Sequence, residues 1–223
     1  MENQEFQLYN YFRSSASYRV RIALHWKNIP FDYLPVHLLR QGGEQYLDTY
    51  KKLNPLSQVP TLVHREEGKK TVISQSVAII EYLEEIFPKR ASLFPRAPEL
   101  RAVVRQSVET INSGAQPFGN LATLSFIQKE YGATELQKEK WIQYWIDKAL
   151  SALEQIAALH SQDYLIGSEV TAADLFLVPQ LLTARRFRVD LSNFPKLLEV
   201  ERKCLELQPF QLAHPEKQID FQV

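Results

Sequence analysis

Two adjacent serines stand where an apolar run passes into a helical pattern, in Tyr11-Phe12-Arg13-Ser14-Ser15-Ala16-Ser17-Tyr18-Arg19-Val20-Arg21-Ile22-Ala23-Leu24. The first peptide N–H groups of a helix have no internal acceptor, and the helix dipole places partial positive charge there. An anion or a thiolate beside Ser14 and Ser15 is therefore stabilised. Arginines flank the pair on both sides. The single cysteine, Cys204, leaves no internal disulfide, CxxC redox pair or cysteine metal cage. Thiol chemistry at the serines must then use a sulfur brought by a ligand, and Cys204, among Val200, Leu205 and Leu207, reads as a buried structural thiol.

Three further groups of residues carry chemistry. Gln75-Ser76 opens a helical pattern, so its hydroxyl and N–H groups either cap the helix or receive a carboxylate. Asn112-Ser113-Gly114-Ala115-Gln116-Pro117-Phe118-Gly119-Asn120 sets small and amide side chains around a helix-breaking proline, which opens space and leaves Gln116 and Asn120 as candidate contacts. Arg185-Arg186-Phe187-Arg188 is a basic cluster whose planar guanidinium forks suit carboxylates, although most such runs are solvated surface. His25, His37, His64, His160 and His214 lack metal-site spacing, and no metal is expected. Tyr9, Tyr11 and Tyr18 read as core aromatics.

The elements that must position these residues follow from periodicity and proline punctuation. Strands are expected over 7–11, 31–36, 61–64 and 71–74, the last two joined as a hairpin by the polar stretch 65–70. Helices are expected over 15–27, 44–53 and 75–87. After Phe87, Pro88, Pro95 and Pro98 mark a linker and every apolar run has helical period, giving helices over 99–126 with a kink at Pro117, 134–159, 172–184 and 196–207. The expected organisation is an α/β domain over 1–91 and an all-helical domain over 92–223. Thr171 three residues before Asp174 forms a capping box.

With 223 residues there is interior enough for a proper core. Lysine plus arginine equals aspartate plus glutamate at 26 each, which argues against a nucleic-acid partner. The polar start Met1-Glu2-Asn3-Gln4-Glu5 and the lack of a long apolar segment argue against a leader or a membrane span, so a cytoplasmic protein is expected.

Taken together, the Ser14 to Leu24 stretch, Asn54-Pro55 with Gln58-Val59-Pro60-Thr61-Leu62, Gln75-Ser76 with Ala78-Ile79-Ile80-Glu81-Tyr82-Leu83-Glu84, and Ala173-Asp174-Leu175 with Leu177-Val178-Pro179-Gln180 resemble the cytosolic glutathione transferases, and within them the zeta class. The resemblance covers nearly the whole chain, and the serine stretch is its most specific part. It implies a thioredoxin-like first domain (βαβαββα), an all-helical second domain that forms the pocket for the second substrate, glutathione as cofactor, and a homodimer. It assigns glutathione contacts to Ser14, Ser15, Ala16, Ser17, Gln45, Val59 ahead of a cis Pro60, Gln75, Ser76, Gln116 and Asn120. Ser15, or Ser14 beside it, becomes the partner of the thiolate. Arg13 and Arg186 would hold the carboxylates of a small acidic α,β-unsaturated substrate.

The implied reaction is cis to trans isomerisation of maleylacetoacetate to fumarylacetoacetate, a step of phenylalanine and tyrosine breakdown, by reversible addition of the glutathione thiolate. Two alternatives fit the same residues: a zeta-like transferase acting on α-haloacids or maleylpyruvate, and a transferase-like module that only binds other proteins. The chain departs from the zeta signature at Ala16, where that signature has cysteine, and at Tyr18, where tryptophan is common.

Overall fold

A computed structural model describes residues 5–222; the polar start at residues 1–4 lies outside the described residues. The chain divides into two compact units, one made of the residues up to Ser92 together with those from Leu207 onward, the other of Leu93–Glu206.

The first unit begins with strand β1 (Glu5–Asn10), helix α1 (Ser15–Trp26) and strand β2 (Asp32–Pro35). β2 lies parallel to β1, with Leu8 opposite Tyr33. Two short 3-10 turns and helix α2 (Asp48–Lys51) lead to the hairpin of β3 (Thr61–Glu66) and β4 (Lys69–Ser74), and helix α3 (Ser76–Ile86) follows. The sheet order is β2-β1-β3-β4, with β3 antiparallel to both of its neighbours. This is the expected βαβαββα order. The hairpin closes through Glu67 and Gly68 at φ 50° and 76°, the left-handed pair that matches the twist of flanking strands.

Two expectations change in this unit. The helix foreseen over 44–53 shrinks to α2, because the extended Leu47 (φ −66°, ψ 142°) separates a 3-10 turn at Glu44–Tyr46 from it, and the positive φ of Gly42 and Gly43 stops the turn from starting earlier. The last residues also leave the domain expected for them: Pro209 sits in the first turn of helix α9 (Gln208–Ala213), where a missing N–H costs nothing. Phe210 and Ala213 of α9 are fully buried, and α9 packs on α1. The helical domain expected over 92–223 therefore ends at Glu206, and the remaining residues belong with the sheet.

The second unit contains α4 (Pro98–Asn112), α5 (Leu121–Tyr131), α6 (Glu135–His160), α7 (Ala172–Arg186) and α8 (Pro195–Leu205). The long helix expected over 99–126 is broken rather than kinked. Gly114 comes so close to the carbonyl of Thr110 that a Cβ would sit 2.4 Å from it, and the chain passes through a 3-10 turn at Gln116–Gly119 before α5 begins. α7 is the core helix, buried from Ala172 through Leu181, with α4, α6 and α8 against it. Among the described residues, no helix is long and apolar enough to cross a membrane. Cys204 is fully buried in α8 and burial pushes its thiol pKa up.

The capping box at α7 is present and extends further than expected. Asp174 accepts from the N–H and hydroxyl of Thr171 at 2.8 and 3.1 Å, and also from the N–H of Leu165 at 2.8 Å. Burial raises the Asp174 pKa to about 6, against the pull of these hydrogen bonds. A carboxyl raised above its unfolded value contributes stability that is complete below about pH 4 and is lost as pH rises through about 6. The stability advantage of the natural protein over Asp174→Asn is thus expected to shrink by up to about 3 kcal/mol between pH 4 and 7. Urea unfolding of both proteins across that range measures it, and a pH-independent difference would contradict it.

Candidate active site

The turn Tyr11–Ser14 joins β1 to α1, closed by the Ser14 N–H donating to the Tyr11 carbonyl at 3.0 Å. Ser14 is the N-cap of α1, its hydroxyl accepting from the Ser17 N–H at 3.2 Å. Ser15 is the first residue of the helix, half-buried, and its hydroxyl has no hydrogen-bond partner among the described residues. The first intrahelical bond runs from the Tyr18 N–H to the Ser14 carbonyl, so the Ser15 and Ala16 N–H groups precede it. The two serines thereby separate in role: one hydroxyl terminates the helix and the other is uncommitted. The Ser17 hydroxyl is buried and has no hydrogen-bond partner among the described residues, and Ala16 is buried. Arg13 is exposed, lies 6.0 Å from the Tyr11 ring centroid, and makes no ion pair among the described residues.

Side-chain bonds tie two of the other expected residues of this unit, Ser76 and Gln75, to Arg19 and to Gln58. Arg19, one turn beyond Ser15 and fully buried, donates to the Ser76 hydroxyl at 3.3 Å and so ties the start of α1 to the start of α3. Gln75, the N-cap of α3, has φ 74° and ψ 120°, a region that non-glycine residues rarely adopt. Its amide lies 3.5 Å from that of Gln58. Ile79 makes the first intrahelical bond of α3, to the Gln75 carbonyl, which leaves the Ser76, Val77 and Ala78 N–H groups pointing out of the helix.

The Val59-Pro60 peptide bond is cis. The Gln58 carbonyl just before it is held by the Tyr50 hydroxyl at 2.6 Å and the Asn54 amide at 2.7 Å. Burial pushes the Tyr50 pKa up to about 12, so its hydroxyl keeps the proton it donates. The Val59 N–H and carbonyl make no hydrogen bond among the described residues, leaving a strand-like edge. Gln45 is buried; its Nε2 donates to the Leu38 carbonyl at 3.2 Å and its Oε1 has no hydrogen-bond partner among the described residues.

Arg21 is the residue whose role the sequence reading passed over. Fully buried, it donates through Nε to the Ala213 carbonyl at 3.0 Å, through Nη1 to Asn10 Oδ1 at 2.9 Å, and through Nη2 to the Phe12 carbonyl at 3.0 Å. Burial lowers its pKa to about 10, opposed by Tyr33, Tyr18 and Asp220, so it stays charged at neutral pH. The signal for such a role was present: two arginines, Arg19 and Arg21, inside the otherwise apolar run from Tyr18 to Leu24.

In the helical unit Gln116 and Asn120 are partners of each other, Nε2 to Oδ1 at 2.7 Å. Arg186 is exposed with its guanidinium 4.7 Å from the Phe187 ring centroid. Its neighbours are engaged elsewhere, Arg185 with Glu201 and Arg188 with Glu139.

A thioredoxin-like unit with an uncommitted hydroxyl at its first helix, a cis-proline edge and a serine-opened third helix, next in sequence to an all-helical unit, defines the glutathione transferase class. Family models for the glutathione S-transferase N-terminal and C-terminal domains match residues 13–86 and 119–208. The chain belongs to the glutathione S-transferase family.

Among its relatives, maleylacetoacetate isomerase of Mus musculus is 42% identical, the match covering 96% of this chain and 94% of that protein. A bacterial maleylpyruvate isomerase of the zeta class superposes with a TM-score of 0.90 at 38% identity, covering 97% of this chain and 100% of that one. Maleylacetoacetate isomerase of Anaeromyxobacter dehalogenans 2CP-1 was solved with glutathione in its active site (TM-score 0.88, 39% identity, 99% of both chains). It was also solved with dicarboxyethyl glutathione and citrate there (TM-score 0.87, 36% identity, 99% of both chains).

Proposed function

We propose that this chain is a zeta-class enzyme that isomerises maleyl compounds with glutathione as cofactor, converting maleylacetoacetate to fumarylacetoacetate. The observation that carries the reading is the uncommitted Ser15 hydroxyl on the first turn of α1. The similarity to isomerases of maleyl compounds supports the choice of substrate.

The residues present fit glutathione. The unpaired Val59 N–H and carbonyl match a peptide backbone laid against them, as a strand pairs with an edge. The Gln75-Ser76 start of α3, with its outward N–H groups, suits the γ-glutamyl carboxylate. Gln45 is assigned to the glycyl end through the second hydrogen of its Nε2, the first being held by Leu38.

When bound, glutathione supplies a thiolate that adds reversibly to the activated cis double bond, allowing rotation before the trans alkene re-forms. Ser15 donates a hydrogen bond to the sulfur and, with the N–H groups of the first turn, lowers the thiol pKa. Ser14 keeps that turn in register by capping it. Arg13 and Arg186 hold substrate carboxylates so that one end of the molecule turns against the other, and Gln116 and Asn120 contribute amides. Ala16 brings no thiol, so no protein sulfur takes part at that position.

The likeness to a maleylpyruvate isomerase favours maleylpyruvate as the second candidate substrate. We assign the reaction to phenylalanine and tyrosine breakdown, in a cytoplasmic homodimer. Size-exclusion chromatography tests the dimer. The deciding assay follows maleylacetone and maleylpyruvate with and without glutathione. Glutathione-dependent cis to trans conversion is expected, and no turnover of either compound under either condition rejects the reading.

A further inference from the structure

The turn that presents Ser15 is held from a distant part of the chain. The Phe12 N–H donates to Asp220 Oδ2 at 3.0 Å across 208 positions of sequence. The Tyr33 hydroxyl donates to the other oxygen of the same carboxylate. Burial and this bond push the Tyr33 pKa up, which keeps the proton on the phenol and leaves the carboxylate an acceptor on both oxygens. The ring of Phe221, next to Asp220, meets the Phe12 ring edge-on at 5.6 Å. The Phe12 carbonyl is taken by Arg21 Nη2, so the two peptide groups of Phe12 are fixed by opposite charges, one from α1 and one from the C-terminal segment. Tyr18 and Arg21 add bonds from α1 to the carbonyls of Phe210 and Ala213 in that segment.

We propose that Asp220 is a positioning residue for the thiol site: its carboxylate, anchored by Tyr33, fixes the peptide plane of Phe12 and with it the aim of the Ser15 hydroxyl and the first N–H groups of α1. The inference rests on the functional reading above. Phe12 is buried, so without Asp220 its N–H loses its acceptor where water cannot readily replace it, and the turn must shift to find another. Ser15 is three residues further on, separated only by Arg13 and the capping Ser14. A displacement there moves the donors that meet the sulfur, and a misplacement of about 1 Å is enough to lower a rate about 100-fold.

The experiment uses the full chain with Asp220→Ala, Asp220→Asn and Tyr33→Phe. For each, kcat and KM for maleylacetone, the pH profile of kcat/KM, the ultraviolet titration of the thiol of bound glutathione, and amide hydrogen exchange at Phe12 are measured. Asp220→Ala is expected to lower kcat roughly 10- to 100-fold with little change in KM, raise the pKa of the bound thiol, and lose protection at Phe12. Asp220→Asn still offers an oxygen to the Phe12 N–H and is expected to recover most of the rate. A residue that served folding alone would leave the thiol titration of the folded variant unchanged. Wild-type kcat and an unmoved thiol titration in Asp220→Ala overturn the proposal. Tyr33→Phe removes the anchor of the carboxylate and is expected to raise the pKa of the bound thiol; if Asp220→Ala does not fold, an unmoved thiol titration in Tyr33→Phe overturns the proposal. A natural protein that neither binds glutathione nor turns over maleylacetone instead defeats the functional reading, and loss of Phe12 protection in Asp220→Ala then still reports the anchoring of the turn.

Discussion

Ser15→Ala is expected to lower kcat/KM for the glutathione-dependent isomerisation of maleylacetone by roughly 100- to 1,000-fold, the usual cost of deleting one preorganised donor to a developing or stabilised anion. The hydroxyl makes no hydrogen bond within the described residues, so its removal leaves the fold's own bonds intact and the unfolding midpoint close to that of the natural protein. Ser14→Ala is the opposite case. It deletes an N-cap, costs about 1 kcal/mol of stability and acts on the rate only through the mobility of the first turn. Measuring rate and unfolding midpoint for both variants separates the two hydroxyls. If Ser14→Ala lost more rate than Ser15→Ala while remaining folded, the assignment of the thiolate partner would be reversed.

The second large effect concerns stability. Arg21→Met keeps the bulk of the side chain but strips donors from three buried backbone carbonyls, those of Tyr11, Phe12 and Ala213, and from the Asn10 amide. A loss of about 3–5 kcal/mol is expected, the range for breaking a buried charged network by removing one partner, because Asp220 also loses its opposing charge. Arg21→Lys should recover little of this. A single ammonium cannot reach Ala213 on one side and Asn10 and Phe12 on the other, whereas the guanidinium fork reaches all three. Equilibrium urea unfolding followed by circular dichroism reads both variants, and a midpoint for Arg21→Met equal to the natural one would show that the network is dispensable.

The fold was legible where periodicity and punctuation agree. Val20, Ala23 and Leu24 mark α1, the polar stretch 65–70 marks the hairpin, and the prolines after Phe87 mark the change of architecture within one residue of Ser92. It was illegible where the backbone overrides composition. Glu44 to Leu53 has helical composition, and only the paired glycines before it warn of the break; nothing in the residue type of Leu47 announces its extended conformation. At Pro117 the proline was visible, but the close approach of Gly114 to Thr110 that turns a kink into a break depends on the completed helix.

The site divides in the same way. Hydroxyls at helix starts and the Val-Pro dipeptide can be read from residue type and order, and the structure places Ser15, Val59, Gln75 and Ser76 in one unit linked through Arg19 and Gln58. The work of Arg21 and Asp220 cannot be read this way, because most of their partners are backbone groups that every residue carries, at separations of up to 208 positions. Which serine is free was also undecided by type, since both are common capping residues; only the bond from Ser17 to Ser14 distinguishes them.

The return of the last segment to the first unit bears on how the protein is made. A ribosome releases β1, α1 and the rest of the sheet long before Ala213 and Asp220 exist, so the nascent unit carries a buried-type guanidinium and a Phe12 amide with their acceptors still unsynthesised. Closure of the first unit must therefore wait until the segment carrying Ala213 and Asp220 has been made, while Leu93–Glu206 is synthesised before it. A chain stopped before Asp220 would carry a Phe12 amide and an Arg21 guanidinium without these partners, so assembly of the active turn follows synthesis of that segment.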